Sequence, residues 1–130
     1  MKYLDIDNDP AIIDIIQSLP VETPPTIIYT SAPKDGIMLL RFYQPEFIFI
    51  GAILDGVSGI DLCKVVRQFS RAPLFITSAL DDPKILVAAL NAGADDYLIK
   101  PISSRVLAAK VNASIRRFAT RPLEPTHLLH

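Results

Sequence analysis

Short apolar runs separate stretches of mixed polarity along the chain. Two of them, Phe47 to Ile50 and Leu74 to Ile76, are apolar at consecutive positions, which is typical of strands covered on both faces of a parallel sheet. The pattern predicts five strands, over Tyr3 to Ile6, Thr26 to Thr30, Phe47 to Ile50, Leu74 to Ser78 and Tyr97 to Ile99.

Capping residues and helical spacing predict five helices between and after these strands. Asp9-Pro10 and Asp82-Pro83 each combine an N-cap residue with a proline suited to the first helical position. Gly93 is placed to end the helix that starts at Pro83. The remaining helices follow Ser58, follow Ser103 and cover residues 33–42.

This alternation of strands and helices predicts an α/β fold, a doubly wound five-stranded parallel sheet with right-handed crossovers. Such sheets carry their functional groups at the carboxyl ends of the strands. Those ends are Asp7-Asn8, Thr30-Ser31, Gly51, Thr77-Ser78 and Lys100-Pro101.

Length and composition narrow the class of protein. A chain of 130 residues is sized for one domain, and no apolar run is long enough to span a membrane. The single cysteine, Cys63, excludes an internal disulfide and fits a reducing cytoplasm, and a net charge of -1 gives no argument for nucleic-acid binding. We expect a cytoplasmic protein with no membrane or direct nucleic-acid contact, a domain over 1–118 and a linker or frayed tail over 119–130.

Two segments resemble the receiver domain of bacterial two-component response regulators. They are Leu54-Asp55-Gly56-Val57-Ser58-Gly59-Ile60-Asp61-Leu62-Cys63 and Ala92-Gly93-Ala94-Asp95-Asp96-Tyr97-Leu98-Ile99-Lys100-Pro101. The Arg116-Arg117 ending is most similar to receivers of winged-helix (OmpR/PhoB-like) transcription regulators. The resemblance implies a flavodoxin-like, CheY-like fold with strand order 2-1-3-4-5 and a role in signal transduction.

The resemblance also implies a site with defined parts. In the family a strand-three aspartate accepts a phosphoryl group, two acids after strand one hold Mg²⁺, a hydroxyl and a lysine bind the phosphoryl oxygens, and an aromatic side chain moves with the switch. Carried over by position, the acceptor falls at Gly51, which lies six residues after Pro45 and eight before Gly59. The other positions are Asp7 and Asn8 for the acids, Ser78 for the hydroxyl, Lys100 for the lysine and Tyr97 for the aromatic.

Glycine at the acceptor position has neither a nucleophile nor a metal ligand. We therefore expect a pseudo-receiver without a catalytic residue, metal or cofactor, in which Lys100 forms a structural ion pair with Asp7. Such a domain would act independently of phosphorylation, as a dimerisation and protein-interaction module controlling an attached or partner DNA-binding transcription regulator.

Two alternatives remain. In the first, the chain is a conventional Mg²⁺-dependent receiver with a displaced acceptor, Asp55 or Asp7. If the segment after Gly51 is extended, Asp55 lies over ~10 Å away, so a turn aspartate before Gly56 is the preferred interpretation. The second is a small enzyme or nucleotide-binding domain, which lacks support because no phosphate-binding motif is present and both histidines, His127 and His130, lie in the tail.

A dimer face is implied by the same resemblance. Winged-helix regulators pair through the fourth helix, the last strand and the last helix, using charged pairs across the interface. Mapped onto this chain, the pairs become Leu86 with Val106, Asn91 with Asn112, and Asp96 with Lys110. We expect a homodimer held mainly by apolar burial, with a sensor kinase or another regulatory protein as a further partner.

Overall fold

The computed structural model describes residues 1–20 and 24–119. Its strands are β1 (Lys2–Ile6), β2 (Thr26–Thr30), β3 (Phe47–Gly51), β4 (Ile53–Leu54), β5 (Val57–Ser58), β6 (Leu74–Ser78) and β7 (Asp96–Ile99). Its helices are α1 (Ala11–Gln17), α2 (Pro33–Tyr43), α3 (Gly59–Val66), α4 (Pro83–Asn91) and α5 (Ser104–Ala119).

Five of the strands form one parallel sheet in the order β2-β1-β3-β6-β7. These are the five strands predicted from the apolar runs. With the two short strands β4 and β5 set aside, the order is 2-1-3-4-5, so the predicted fold class is confirmed.

Each face of the sheet packs against its own helices. On one face, the aromatic rings of Tyr3, Phe47, Phe49 and Phe75 pack with apolar residues of α1 and α5. On the other face, aliphatic residues of β1, β3 and β6 pack with α2, α3 and α4, and Cys63 is fully buried there. This two-sided burial explains why the central strands are apolar at consecutive positions.

Most helix boundaries follow the predicted caps. Asp82 accepts a hydrogen bond from the Lys84 N–H, the Ser58 hydroxyl accepts from Ile60 N–H, and Gly93 adopts a φ of +111° after α4. Helix α1 begins at Ala11, one residue later than predicted, although the Asp9 carboxylate still accepts a hydrogen bond from the Ala11 N–H.

The loop between α3 and β6 is tied to the loop before β7 by Arg67. Its guanidinium donates to the carbonyl oxygens of Gly93 (2.8 Å) and Ala72 (2.7 Å) and pairs with Asp95 (3.0 Å). Asp95 in turn accepts a hydrogen bond from the Leu74 N–H. This network fixes the entry of two neighbouring strands, β6 and β7, into the sheet.

The main departure from the predicted elements follows Gly51. Strands β4 and β5 pair with each other as an antiparallel hairpin around Asp55-Gly56, with Gly56 at a φ of +69°. The predicted turn at Asp55-Gly56 is therefore present. The segment after Gly51 is not extended, however, although the distance estimate for Asp55 assumed that it is.

The last helix ends at Ala119, one residue beyond the predicted domain boundary. The predicted tail after it lies outside the described residues. Within residues 1–20 and 24–119, no helix combines the length and apolar character needed to cross a membrane.

Candidate functional site

The candidate site lies where the carboxyl ends of β1, β3, β6 and β7 meet, as parallel topology requires. Gly51 is in register with Thr77 on β6, and Asp7 follows β1 directly, where its N–H donates to the Thr30 carbonyl. Lys100 follows β7 and precedes Pro101 through a cis peptide bond.

The Asp7 carboxylate is the centre of this site and is almost completely buried. Its Oδ2 accepts hydrogen bonds from the Thr77 hydroxyl (3.1 Å) and the Lys100 ammonium (2.9 Å). Its Oδ1 accepts from the Asp9 N–H (3.3 Å), and the Tyr29 hydroxyl donates to its main-chain carbonyl (2.7 Å). Three donors therefore fix this one side chain, and a fourth binds its main chain.

Gly51 is what allows the carboxylate to adopt this position. A Cβ atom built on Gly51 would stand 2.5 Å from Asp7 Oδ1 and 2.7 Å from Asp7 Cγ, far inside van der Waals contact. The Asp7 side chain therefore occupies the space next to the strand that a side chain at position 51 would need.

Lys100 is shared between two carboxylates. Its ammonium lies 2.9 Å from Asp7 Oδ2 and 3.2 Å from Asp9 Oδ2, so the expected Asp7–Lys100 ion pair is present and a second one accompanies it. Partial burial lowers the pKa of Lys100, but the hydrogen bonds and charges of Asp7 and Asp9 outweigh it and the pKa is raised. The pKa of Asp9 is lowered by the Ala11 N–H and by Lys100.

The hydroxyl and aromatic positions are also engaged within the chain. Ser78 Oγ accepts a hydrogen bond from the Leu80 N–H (3.0 Å), closing a tight turn after β6. Tyr97 is buried, and its hydroxyl donates to the Leu80 carbonyl (2.6 Å). Both predicted residues thus hold the same loop between β6 and α4.

Asn8 and Asp55 meet at the rim of the site. The Asn8 Nδ2 donates to Asp55 Oδ1 at 3.3 Å, and both side chains are exposed. The distance estimate for Asp55 assumed that the segment after Gly51 is extended, and this assumption was wrong. The β4–β5 hairpin folds Asp55 back toward the end of β1, where it contacts Asn8.

Asp5 is a buried acid that the sequence analysis did not single out. It is 0% exposed, and neither carboxyl oxygen has a hydrogen-bond partner within the part of the chain that the structure describes. It is in register with Phe49, so it lies on the aromatic face of the sheet. Burial, with a further contribution from the Asp7 carboxylate, raises the pKa of Asp5 from 3.8 to about 8.

Thr77 was placed at the end of a strand from the sequence, but its hydrogen bond to Asp7 was not predicted. A signal existed for both omissions. Side chains alternate along a strand, so Asp5 shares its face with Asp7, and the register of Gly51 with Thr77 directs the threonine to the same place.

The Mg²⁺ ion that the family resemblance implies does not fit these donors. Asn8 and Gly51 supply no carboxylate where two are expected, and both oxygens of Asp7 already accept hydrogen bonds. The Lys100 ammonium at 2.9 Å would also repel a cation. Across residues 1–20 and 24–119, no group of three or more His, Cys, Asp or Glu side chains is arranged to hold a metal ion.

The predicted dimer residues lie on α4, β7 and α5. Leu86, Asn91, Val106 and Asn112 are exposed, and so are the nearby apolar residues Leu90 and Ile99. Lys110 Nζ lies 2.8 Å from Asp96 Oδ2 within the chain, so these two residues also meet without a partner subunit.

Comparison with known proteins agrees with the resemblance. A sequence profile described as the response regulator receiver domain matches residues 4–112. The transcriptional regulatory protein AfsQ1 of Streptomyces coelicolor is 31% identical over 89% of this chain and 52% of its own length. The DNA-binding response regulator MtrA of Mycolicibacterium smegmatis is 32% identical over 95% of this chain and 54% of its own length.

The chain thus spans about half the length of these relatives. Among solved structures, a two-component response regulator from Clostridium difficile superposes with a TM-score of 0.82 at 30% identity, covering 91% of this chain and 98% of that one. Since the profile covers most of the chain and the fold and strand order agree, the chain belongs to the response regulator receiver domain family.

Proposed function

We propose that this chain is an atypical receiver domain that works without phosphorylation, as a dimerisation and protein-interaction module. It passes its signal to a DNA-binding transcription regulator, attached or separate, and itself makes no contact with nucleic acid. The relatives named as a transcriptional regulatory protein and a DNA-binding response regulator support this output. A sensor kinase or another regulatory protein is the upstream partner.

The observation that carries the proposal is the position of Asp7. Its carboxylate fills the space beside Gly51 and neutralises Lys100, the cation that would otherwise be available to a phosphoryl oxygen. Phosphoryl transfer depends on positioning and on neutralising the charge of the transferred group. This site has no acceptor and no matched set of metal ligands, and its lysine is already paired. It therefore meets none of the requirements of phosphoryl transfer.

The contacts of Tyr97 and Ser78 support a domain fixed in one state. The tyrosine hydroxyl and the serine hydroxyl both bond to Leu80, so the loop after β6 is held from two sides. The Ser78 hydroxyl accepts this bond and keeps its own proton to donate, but without a phosphoryl group there is no anion to draw it out of the turn.

The exposed apolar residues of α4, β7 and α5 support a constitutive dimer. Leu86 and Leu90 are one helical turn apart, and Ile99 and Val106 belong to the neighbouring elements of the same face. Exposed apolar residues grouped on one face mark interaction sites on soluble proteins. Because Asp96 and Lys110 satisfy each other within one chain, the interface needs no ion pair across it.

A conventional receiver with a displaced acceptor is the second candidate, favoured by the contact between Asp55 and Asn8. That contact brings an exposed carboxylate to the rim of the site. Asp55 is the acceptor in this alternative, or Asp7 if the ion pair with Lys100 opens.

Incubation with acetyl phosphate and Mg²⁺ followed by intact-mass measurement tests the proposal. The wild type, Asp55→Asn and the double variant Gly51→Asp with Asn8→Asp are compared. We expect no phosphoryl adduct on the wild type or on Asp55→Asn. An adduct on the wild type that disappears in Asp55→Asn would establish the second candidate instead.

A further inference from the structure

A groove of about 700 Å³ lies at the edge of the sheet opposite the candidate site. The carboxyl-terminal ends of α2, α3 and α5 surround it, next to the amino end of the sheet. Leu40, Phe69, Ile115 and Phe118 contribute its apolar wall, and Arg41 and Glu46 are among its polar lining residues.

Two aromatic side chains of the groove wall are partly open to solvent. Phe69 is 47% exposed and Phe118 46% exposed. The Arg41 guanidinium lies over the Phe69 ring, 4.7 Å from its centre, and holds the ring in place. Aromatic and arginine side chains at an exposed apolar surface are the composition of binding interfaces.

The course of the chain indicates what covers this groove. Ile115 and Phe118 belong to the last turns of α5, so the chain leaves the helix at the edge of the groove. The eleven residues that follow, 120–130, lie outside the described part of the chain. Pro122 and Pro125 do not fit a continuing helix, and Leu123, Leu128 and Leu129 supply apolar side chains.

The distance that the chain can span and the charges of the groove are both compatible with residues 120–130 as its occupant. Leu123 comes five residues after Phe118, which limits the distance between their Cα atoms to roughly 18 Å. The segment carries Arg121 and Glu124, one charge of each sign, and the groove lining offers Glu46 and Arg41 as their opposites.

We propose that the groove is the docking site of residues 120–130, with Leu123, Leu128 and Leu129 as the apolar anchors. Docking would cover Phe69 and Phe118 and direct the chain along the amino edge of the sheet, away from the candidate site. This inference is independent of whether the site accepts a phosphoryl group.

A spin label on the full chain tests this docking. Thr126→Cys supplies the attachment point, since Cys63 is fully buried, and the broadening of backbone amide signals is measured by NMR. We expect several-fold loss of intensity at Gln44 and Ala72, which line the groove, and none at Asp55 on the opposite edge. If the amide signals of the groove residues have the same intensity with the label oxidised as with the label reduced, the proposal is overturned.

Two variants and one mixing experiment identify the occupant. Leu128→Ser with Leu129→Ser, and separately Phe69→Ser, should abolish the broadening. The control Val65→Ser changes an exposed residue of α3 outside the groove lining and should leave it. A mixture of labelled unenriched chains with unlabelled ¹⁵N chains should show no broadening at Gln44 and Ala72. Broadening of these two amides in that mixture would mean that a second copy occupies the groove. Broadening that persists in all variants would mean that the leucines are not the anchors. Either result overturns the proposal.

Discussion

Replacing Asp5 with asparagine removes a buried ionisable carboxyl while preserving its shape. In the folded protein the pKa of Asp5 is about 8, against 3.8 for an ordinary aspartate, because the side chain is cut off from water beside Asp7. Between these values the folded state keeps a proton that the unfolded state has lost. Stability therefore falls as the pH rises from about 4 to about 8, and it levels off above that.

One proton taken up over this range corresponds to a slope of ~1.4 kcal/mol per pH unit. Between pH 5 and pH 7 the wild type should thus lose about 3 kcal/mol of unfolding free energy to Asp5 alone. Asp9, whose pKa is lowered, contributes stability that is lost only in more acidic solution, and Lys100, whose pKa is raised, contributes stability that is lost only in strongly alkaline solution. Neither group titrates in this window.

Urea unfolding of wild type and Asp5→Asn at several pH values between 5 and 8 measures the effect. The buried amide has a cost that does not vary with pH, so the difference in slope, not the offset, belongs to Asp5. We expect Asp5→Asn to gain about 3 kcal/mol on the wild type between pH 5 and pH 7, while the control Asp14→Asn, an exposed change on α1, keeps the wild-type slope. Parallel curves for wild type and Asp5→Asn would mean that Asp5 is ionised in the folded protein throughout this range.

Three further outcomes follow from the contacts. Gly51→Asp alone should not be labelled by acetyl phosphate, because Asn8 still supplies no metal-binding charge and Asp7 must move to make room for the new side chain. Labelling of this single variant at the rate of the double variant with Asn8→Asp would contradict this. In sedimentation at micromolar concentration, the wild type and the control Met38→Glu should be dimeric, with little effect of salt on dimerisation, and Leu86→Glu should be monomeric. A monomeric wild type would exclude the dimer. In urea unfolding, Arg67→Met should lower the free energy of unfolding by ~2 to 4 kcal/mol, because it removes the network of Arg67. The control Lys64→Met, whose ion pair with Asp61 is exposed, should lower it by less than ~1 kcal/mol. Equal losses would show that the Arg67 network adds nothing.

The fold could be predicted from the sequence because its main signals are local. Consecutive apolar residues in β3 and β6, and the caps Ser58 and Asp82, each determine structure within a few residues of themselves. The β4–β5 hairpin was not predicted, since two strands of two residues are too short to show a periodic pattern.

The site was predictable only as a set of positions. The family resemblance identified the positions of Gly51 and Lys100. The placement of Asp7 in the space beside Gly51, in contrast, depends on residues of β3, β6 and the loop after β7 meeting in three dimensions. The burial of Asp5 is likewise a tertiary effect. An aspartate is usually exposed, and only the covering of this face by α1 and α5 removes its water.

Calorimetric titration with millimolar Mg²⁺ tests most directly whether the site is closed. We expect no saturable heat for the wild type, because Asp7 is bound to Thr77 and Lys100 and positions 8 and 51 supply no second carboxylate. The double variant Gly51→Asp with Asn8→Asp provides the matched comparison with both carboxylates restored. A saturable Mg²⁺ site in the wild type that is lost in Asp7→Asn would mean that the site is open to a cation and is not closed by Lys100.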